Sequence, residues 1–261
     1  MPRFCHAFES GPSPRRSAAY LACVLVAVAP GAGCGRDSAP QVKPPAATPA
    51  PGAAPAAATG ASATAEAVPA NLPKVAFLGD SISAGLHLAE DQAFPALLAR
   101  RLRSGPLAFQ LINAGVSGDT TAGGLRRADW ILKQRPDVVV VELGANDGLR
   151  GVPLATIERN LRGILEKVRA AGATALLLGI RLPPSYGADY VAPFEAIYPR
   201  VAGELGVAHV PFFMQGVAGV AEQNLEDGLH PTASGHERLA ANVEPVLRET
   251  LARVVQARQQ R

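Results

Sequence analysis

From residue 73 onward, short continuous apolar runs alternate with stretches in which apolar side chains recur every three or four positions. The runs fall at 75–78, 109–112, 138–143, 175–180 and 208–212. Their length, β-branched content and flanking turn residues predict five strands. Helical spacing between them predicts helices over 92–103, 121–134, 154–171 and 189–205, with a last one over 232–256. The middle runs are continuous rather than alternating, so both faces of those strands should be covered by helices. Connections of this length favour right-handed crossovers and a parallel sheet. The expectation is an α/β, three-layer, flavodoxin-like domain over 73–258 with five parallel strands, the first of them beside the switch point. A stretch of about 185 residues is enough for one core, and no internal repeat breaks it.

The first 72 residues are different material. A basic start (Arg3, Arg15, Arg16) leads into an apolar run over 18–30 and then Gly31-Ala32-Gly33-Cys34. A charged region, a short apolar region and small residues before a break are the pattern of an export signal. The run is too short for a comfortable bilayer span. Cys34 after Gly33 resembles a bacterial lipobox, with Gly31 where a leucine is usual, and would become a lipidated first residue. Cleavage near Ala32 with Cys34 incidental is the other reading. Residues 35–72 are mostly Ala, Pro, Thr and Gly, too poor in large apolar side chains to offset the entropy of ordering. They read as a tether reaching roughly 100 Å at most. The expected organisation is a signal over 1–34, a tether over 35–72 and one domain over 73–258, in an exported, periplasmic protein held to the outer membrane by lipid.

Composition narrows the chemistry. The three cysteines, Cys5, Cys23 and Cys34, all precede the domain. That removes disulfides, cysteine-held metals and thiol nucleophiles from it. The net charge of +3 is spread over mixed-sign segments, so nothing suggests nucleic acid as a partner. The turn over 113–121 lacks the dinucleotide fingerprint, and no cofactor is expected.

Three strand ends carry candidate chemistry. The first leads into Gly79-Asp80-Ser81, either an ordinary turn or a nucleophile where open sheets build their sites. The second leads into Gly115-Val116-Ser117-Gly118-Asp119-Thr120, where glycines allow a backbone N–H to approach a ligand and Asp119 or Thr120 can cap a helix. The third leads into Glu142-Leu143-Gly144-Ala145-Asn146-Asp147-Gly148. There Asn146 offers a neutral amide to a developing oxyanion, or simply a turn residue. A serine nucleophile needs a base. Of the five histidines, His6 is in the leader, and His209 and His236 sit in strand and helix patterns. His87 could line a site but has no orienting acid. His230 has Asp227 three positions earlier, a spacing that fits a triad. Asp227, His230 and His236 lack a recognisable metal-ligand spacing, so no metal is expected.

These segments, in this order, resemble the four blocks of the SGNH (GDSL-type) hydrolase family: Gly79-Asp80-Ser81, Gly115, Gly144-x-Asn146-Asp147 and Asp227-x-x-His230. The resemblance runs across the domain. The wider phrases, such as Val-Glu-Leu-Gly-Ala-Asn-Asp-Gly-Leu-Arg-Gly over 141–151, are similar to the thioesterase I / protease I / lysophospholipase L1 branch with its arylesterases. The resemblance implies a serine esterase acting on lipid-like acyl, thio- or aryl esters. In it Ser81 attacks, His230 serves as base and then acid, and Asp227 orients His230. The oxyanion hole would comprise the N–H groups of Ser81 and Gly115 with the Asn146 amide. Residues 148–151, with Gly148, Leu149 and Arg150, would form a loop over the acyl groove, while Asp80 and Asp147 would stabilise turns. Two other readings stand beside it: an O-acetyl esterase of sugars or cell-wall polymer, and a binding module without activity.

Overall fold

A computed structural model describes residues 71–260; the expected signal over 1–34 and all but the last two residues of the tether over 35–72 lie outside them. Five strands form one parallel sheet: β1 (Lys74–Gly79), β2 (Gln110–Gly115), β3 (Val138–Glu142), β4 (Thr174–Leu178) and β5 (Ala208–Val210), in the order β2-β1-β3-β4-β5. This is the flavodoxin-like order that the alternating pattern predicts, with β1 flanked by β2 and β3 at the switch point. The helices are α1 (Ser81–Ala84), α2 (Phe94–Leu102), α3 (Thr121–Leu132), α4 (Ala145–Leu149), α5 (Leu154–Ala170), α6 (Ala188–Leu205) and α7 (Ala233–Gln259). One layer is built from α3, α5 and α6, and the other from α2 and α7.

Continuous apolar strands need cover on both faces, and they have it. Val138, Val139, Val140 and Val141 of β3 are all fully buried. An aromatic group seals the α2–α7 side: Phe94 meets Phe77 edge-on at 5.5 Å and Phe213 at 6.0 Å between ring centroids. Helix starts follow local chemistry. Pro95 stands in the first turn of α2, where its missing N–H costs nothing. Thr120 and Thr232 cap α3 and α7 by accepting from the N–H groups of Gly123 and Gly235, each at 3.2 Å.

Strand ends depart from the apolar runs by a few residues, for identifiable reasons. β3 stops at Glu142 although Leu143 is buried, because Gly144 turns the chain at φ 122°. β2 runs on through polar Asn113, which pairs with Phe77 in the ladder. Its side-chain amide donates to the Ser83 carbonyl at 2.8 Å. The short helices α1 and α4 were not anticipated, and both sit at the site.

Candidate active site

Ser81 is the first residue of α1, directly after β1. Asp80 caps that helix, with Oδ1 accepting from the Ile82 N–H at 3.0 Å. Gly85 ends it in the left-handed region, at φ 71°. The turn therefore presents the Ser81 hydroxyl and N–H at a helix N-terminus, where the N–H has no helical partner. The second half of the site arrives from the loop before α7. Asn224 bridges Pro231, its Nδ2 donates to the Val217 and Val220 carbonyls at 2.6 and 2.8 Å, and the Leu225 N–H donates to the His230 carbonyl at 2.7 Å.

That loop sets His230 Nε2 2.9 Å from Ser81 Oγ and His230 Nδ1 2.6 Å from Asp227 Oδ2. The other Asp227 oxygen accepts from the N–H groups of Leu229 and His230 at 2.9 and 3.0 Å. These backbone bonds, with the imidazole, hold the Asp227 carboxyl well below the usual carboxylate range. Asp227 is thus an anion fixed in one orientation beside the ring. The three expected residues Ser81, Asp227 and His230 come together as a hydrogen-bonded chain with a serine at one end.

The oxyanion side needs one correction. Gly115 was expected to offer its N–H, but that group donates to Asn113 Oδ1 at 3.1 Å. The Ser83–Ala84 backbone also covers Gly115 so closely that a Cβ there would clash. Its glycine serves packing of α1 on β2. The neighbouring Gly118, at φ 78°, has an N–H with no protein partner among the described residues. Arg150 brackets it: its guanidinium donates to the Gly118 carbonyl at 3.3 Å and to Asn146 Oδ1 at 3.4 Å. Asn146 Nδ2 donates to Asp80 Oδ2 at 3.1 Å, leaving its second hydrogen uncommitted.

The loop expected over 148–151 is also different. Gly148 and Leu149 belong to α4, and Gly148 is buried, with Leu182 and Phe194 where a side chain would go. Gly148 is a close-packing position. Leu149 packs on the edge of the core, and its carbonyl accepts from the Tyr186 hydroxyl at 3.2 Å. Asp147 accepts from the Thr121 N–H and hydroxyl at 2.8 and 2.6 Å. It ties α4 to α3, a turn role as expected.

Two supports were not visible in the sequence. Arg127 of α3 donates to the Gly79 and Ala114 carbonyls, at 2.8 and 2.5 Å, and to Asp119 at 2.7 Å, locking the ends of β1 and β2. Glu142 lies fully buried under the Ser81 turn. Neither has a local signature. Of the remaining histidines, His87 is exposed at φ 68° with its ring 6.3 Å from that of His230. His236 is buried, accepts from the Phe94 N–H at 3.1 Å, and is pushed down to about 4 by burial, so it is a neutral core residue. His209 is partly buried in β5 and is likewise lowered by burial.

The family model described as "GDSL-like Lipase/Acylhydrolase family" matches residues 77–238, which include Ser81, Asp227 and His230. The chain belongs to this family. Its relatives include the Pseudomonas aeruginosa protein named Esterase TesA, 46% identical over 175 residues, covering 67% of this chain and 87% of the relative. The Escherichia coli K12 protein named Thioesterase 1/protease 1/lysophospholipase L1 is 44% identical over 164 residues, covering 62% of this chain and 77% of the relative. Among solved structures, the crystal structure of TesA superposes with a TM-score of 0.66 at 45% identity, covering 68% of this chain and 99% of that one. The family match lies within the described residues, 71–260.

Proposed function

We propose that this GDSL-family chain hydrolyses lipid-like acyl, thio- or aryl esters through an acyl-enzyme on Ser81. The observation that carries the reading is the relay from Asp227 through His230 to Ser81, with links of 2.6 and 2.9 Å. His230 Nε2 takes the Ser81 proton as Oγ attacks the acyl carbonyl carbon, and the carbonyl electron pair moves onto oxygen. Asp227 stabilises the imidazolium that forms. The oxyanion is met by the N–H groups of Ser81 and Gly118 and by the free hydrogen of Asn146. His230 then protonates the departing alkoxide or thiolate. Water attacks the acyl-enzyme by the same route, with His230 as base, and releases the acid and Ser81.

Apolar surface near the triad favours a lipid-like acyl group. Val116, Leu229 and Tyr186 are among the few large apolar residues left exposed in the described part. Val116 precedes Gly118 by two residues, Leu229 precedes His230, and Tyr186 bonds the Leu149 carbonyl. The test is hydrolysis of p-nitrophenyl esters of increasing chain length, beside a lysophospholipid and an acyl-CoA. The expected outcome is turnover that persists with long chains. Leu229→Ala, at an exposed side chain beside His230, should then weaken long chains while leaving acetyl esters nearly unchanged, because it removes apolar contact only. Turnover confined to acetyl groups on sugars would overturn the lipid-like assignment.

The same reading places the enzyme at a membrane by lipid on Cys34, outside the described residues. It is supported by the apolar run, Gly33-Cys34 and the Pro/Ala-rich stretch that follows. A cysteine carrying more than one acyl chain holds firmly, whereas one chain does not. Cys34→Ser should move activity to the soluble fraction or block maturation; unchanged membrane fractionation would remove the anchor.

A further inference from the structure

Beneath the Ser81 turn lie two carboxyls that no step of ester hydrolysis uses. Glu142, the last residue of β3, is fully buried and stands opposite Gly79 in the ladder. One of its oxygens, Oε2, accepts from the Asp80 N–H at 3.2 Å, the Ser83 N–H at 3.3 Å and the Ser83 hydroxyl at 2.8 Å. Gly79 makes room for this arrangement: a Cβ there would lie 2.7 Å from Glu142 Oε2. The other oxygen, Oε1, has no partner among the described residues. Asp80, 1% exposed, accepts from the Ile82 N–H through Oδ1 and from the Asn146 amide through Oδ2.

The ionisable groups that face the pair supply no counter-ion in contact. Arg127 comes from α3, but its guanidinium is spent on Asp119 and on two carbonyls. Tyr198 comes from α6, and its hydroxyl donates to the Leu143 carbonyl at 3.2 Å. Burial holds that phenol well above its ordinary range, so it stays neutral. His230 faces Asp80 from the loop before α7. Two buried carboxylates with no counter-ion in contact cannot both stay charged. All three donors to Glu142 converge on one oxygen, which leaves the second as the place for a proton. Burial and the Asp80 charge both push the Glu142 carboxyl well above the usual range, whereas burial raises Asp80 only to about 6.

We propose that Glu142 is a protonated positioning residue: its neutral carboxyl clamps the nucleophile turn and leaves Asp80 to carry the charge that aims the Asn146 amide. The functional half of this rests on Asn146 being an oxyanion donor, as in the reading above. Glutamine mimics the protonated acid, with an oxygen for the three donors and an N–H₂ in place of the acid hydroxyl. An ionised Glu142 would not be replaced so well.

The experiment is infrared spectroscopy of the full chain at pH 8, paired with kinetics of Glu142→Ala, Glu142→Gln and Asp80→Asn on a p-nitrophenyl ester. The wild type should show the carbonyl stretch of a protonated carboxylic acid, and Glu142→Gln should lose that band. Glu142→Ala should lower kcat at least about tenfold with little change in KM, and Glu142→Gln should restore it to within a few-fold. Asp80→Asn should lower kcat about ten- to a hundredfold, the scale of one hydrogen bond to a charged group. Absence of the band from the wild type overturns the proposal. So does a Glu142→Gln variant that melts like wild type yet is as slow as Glu142→Ala. The band needs no turnover, so it reports on the Glu142 proton even if the oxyanion reading fails through full activity of Asn146→Ala.

Discussion

Asn146 is oriented from both ends, by Asp80 on its amide nitrogen and by Arg150 on its oxygen. A donor held this way needs no reorganisation when charge develops on the substrate, which is how oxyanion donors act. Asn146→Ala should therefore raise the barrier for kcat by about 2.7–4 kcal/mol. KM should move little, because the amide is aimed at charge that exists only during reaction. Steady-state kinetics on one ester checks this, and a variant that keeps full kcat would remove Asn146 from the site. Ser81, Asp227, His230 and Asn146 were legible because each stands in a short phrase whose residue types match its chemistry. Gly115 was misread for a physical reason. Two glycines flank the same turn, and backbone surroundings separate them: the Gly115 N–H is taken by Asn113 under the Ser83–Ala84 backbone, and that of Gly118 is not taken among the described residues. No property of the side chains, which glycine lacks, could have made that choice.

At the scale of elements, strands and long helices were legible because burial on a continuous face writes a long periodic pattern. β3 reads as four buried valines and α5 as a 17-residue amphipathic helix, and both lie where the pattern puts them. The four- and five-residue helices α1 and α4 are too short to show a period. Their sequences are dominated by Gly, Ser, Asn and Asp, which ordinarily mark turns. Yet these two pieces carry Ser81 and Asn146. Each follows a strand end and exposes N-terminal N–H groups that a helix leaves unpaired. The helical start of the loop expected over 148–151 was hidden for the same reason, and α4 draws Gly148 into contact with Leu182 and Phe194.

At the scale of the molecule, the sheet order gathers the site. β1, β2 and β3 are neighbours, so Ser81, Gly118 and Asn146 follow three adjacent carboxyl ends although they are distant in sequence. His230, 149 positions after Ser81, is delivered by the loop before α7. The binding crevice of an open α/β sheet lies at this edge of the switch point, so the topology predicted from alternating runs points to the edge where the proposed site lies. What topology does not give is the identity of the nucleophile, and the central claim turns on it. The direct measurement is covalent labelling with an alkyl phosphonate, read by intact mass and peptide mapping alongside residual ester hydrolysis. One adduct per chain should form on the peptide that contains Ser81, with activity falling in step. Ser81→Ala should take up none, and Ser81→Ala and His230→Ala should each lose several orders of magnitude in kcat without adding in the double variant. Hydrolysis that survives complete labelling, or an inactivating adduct on any other residue, would contradict the account.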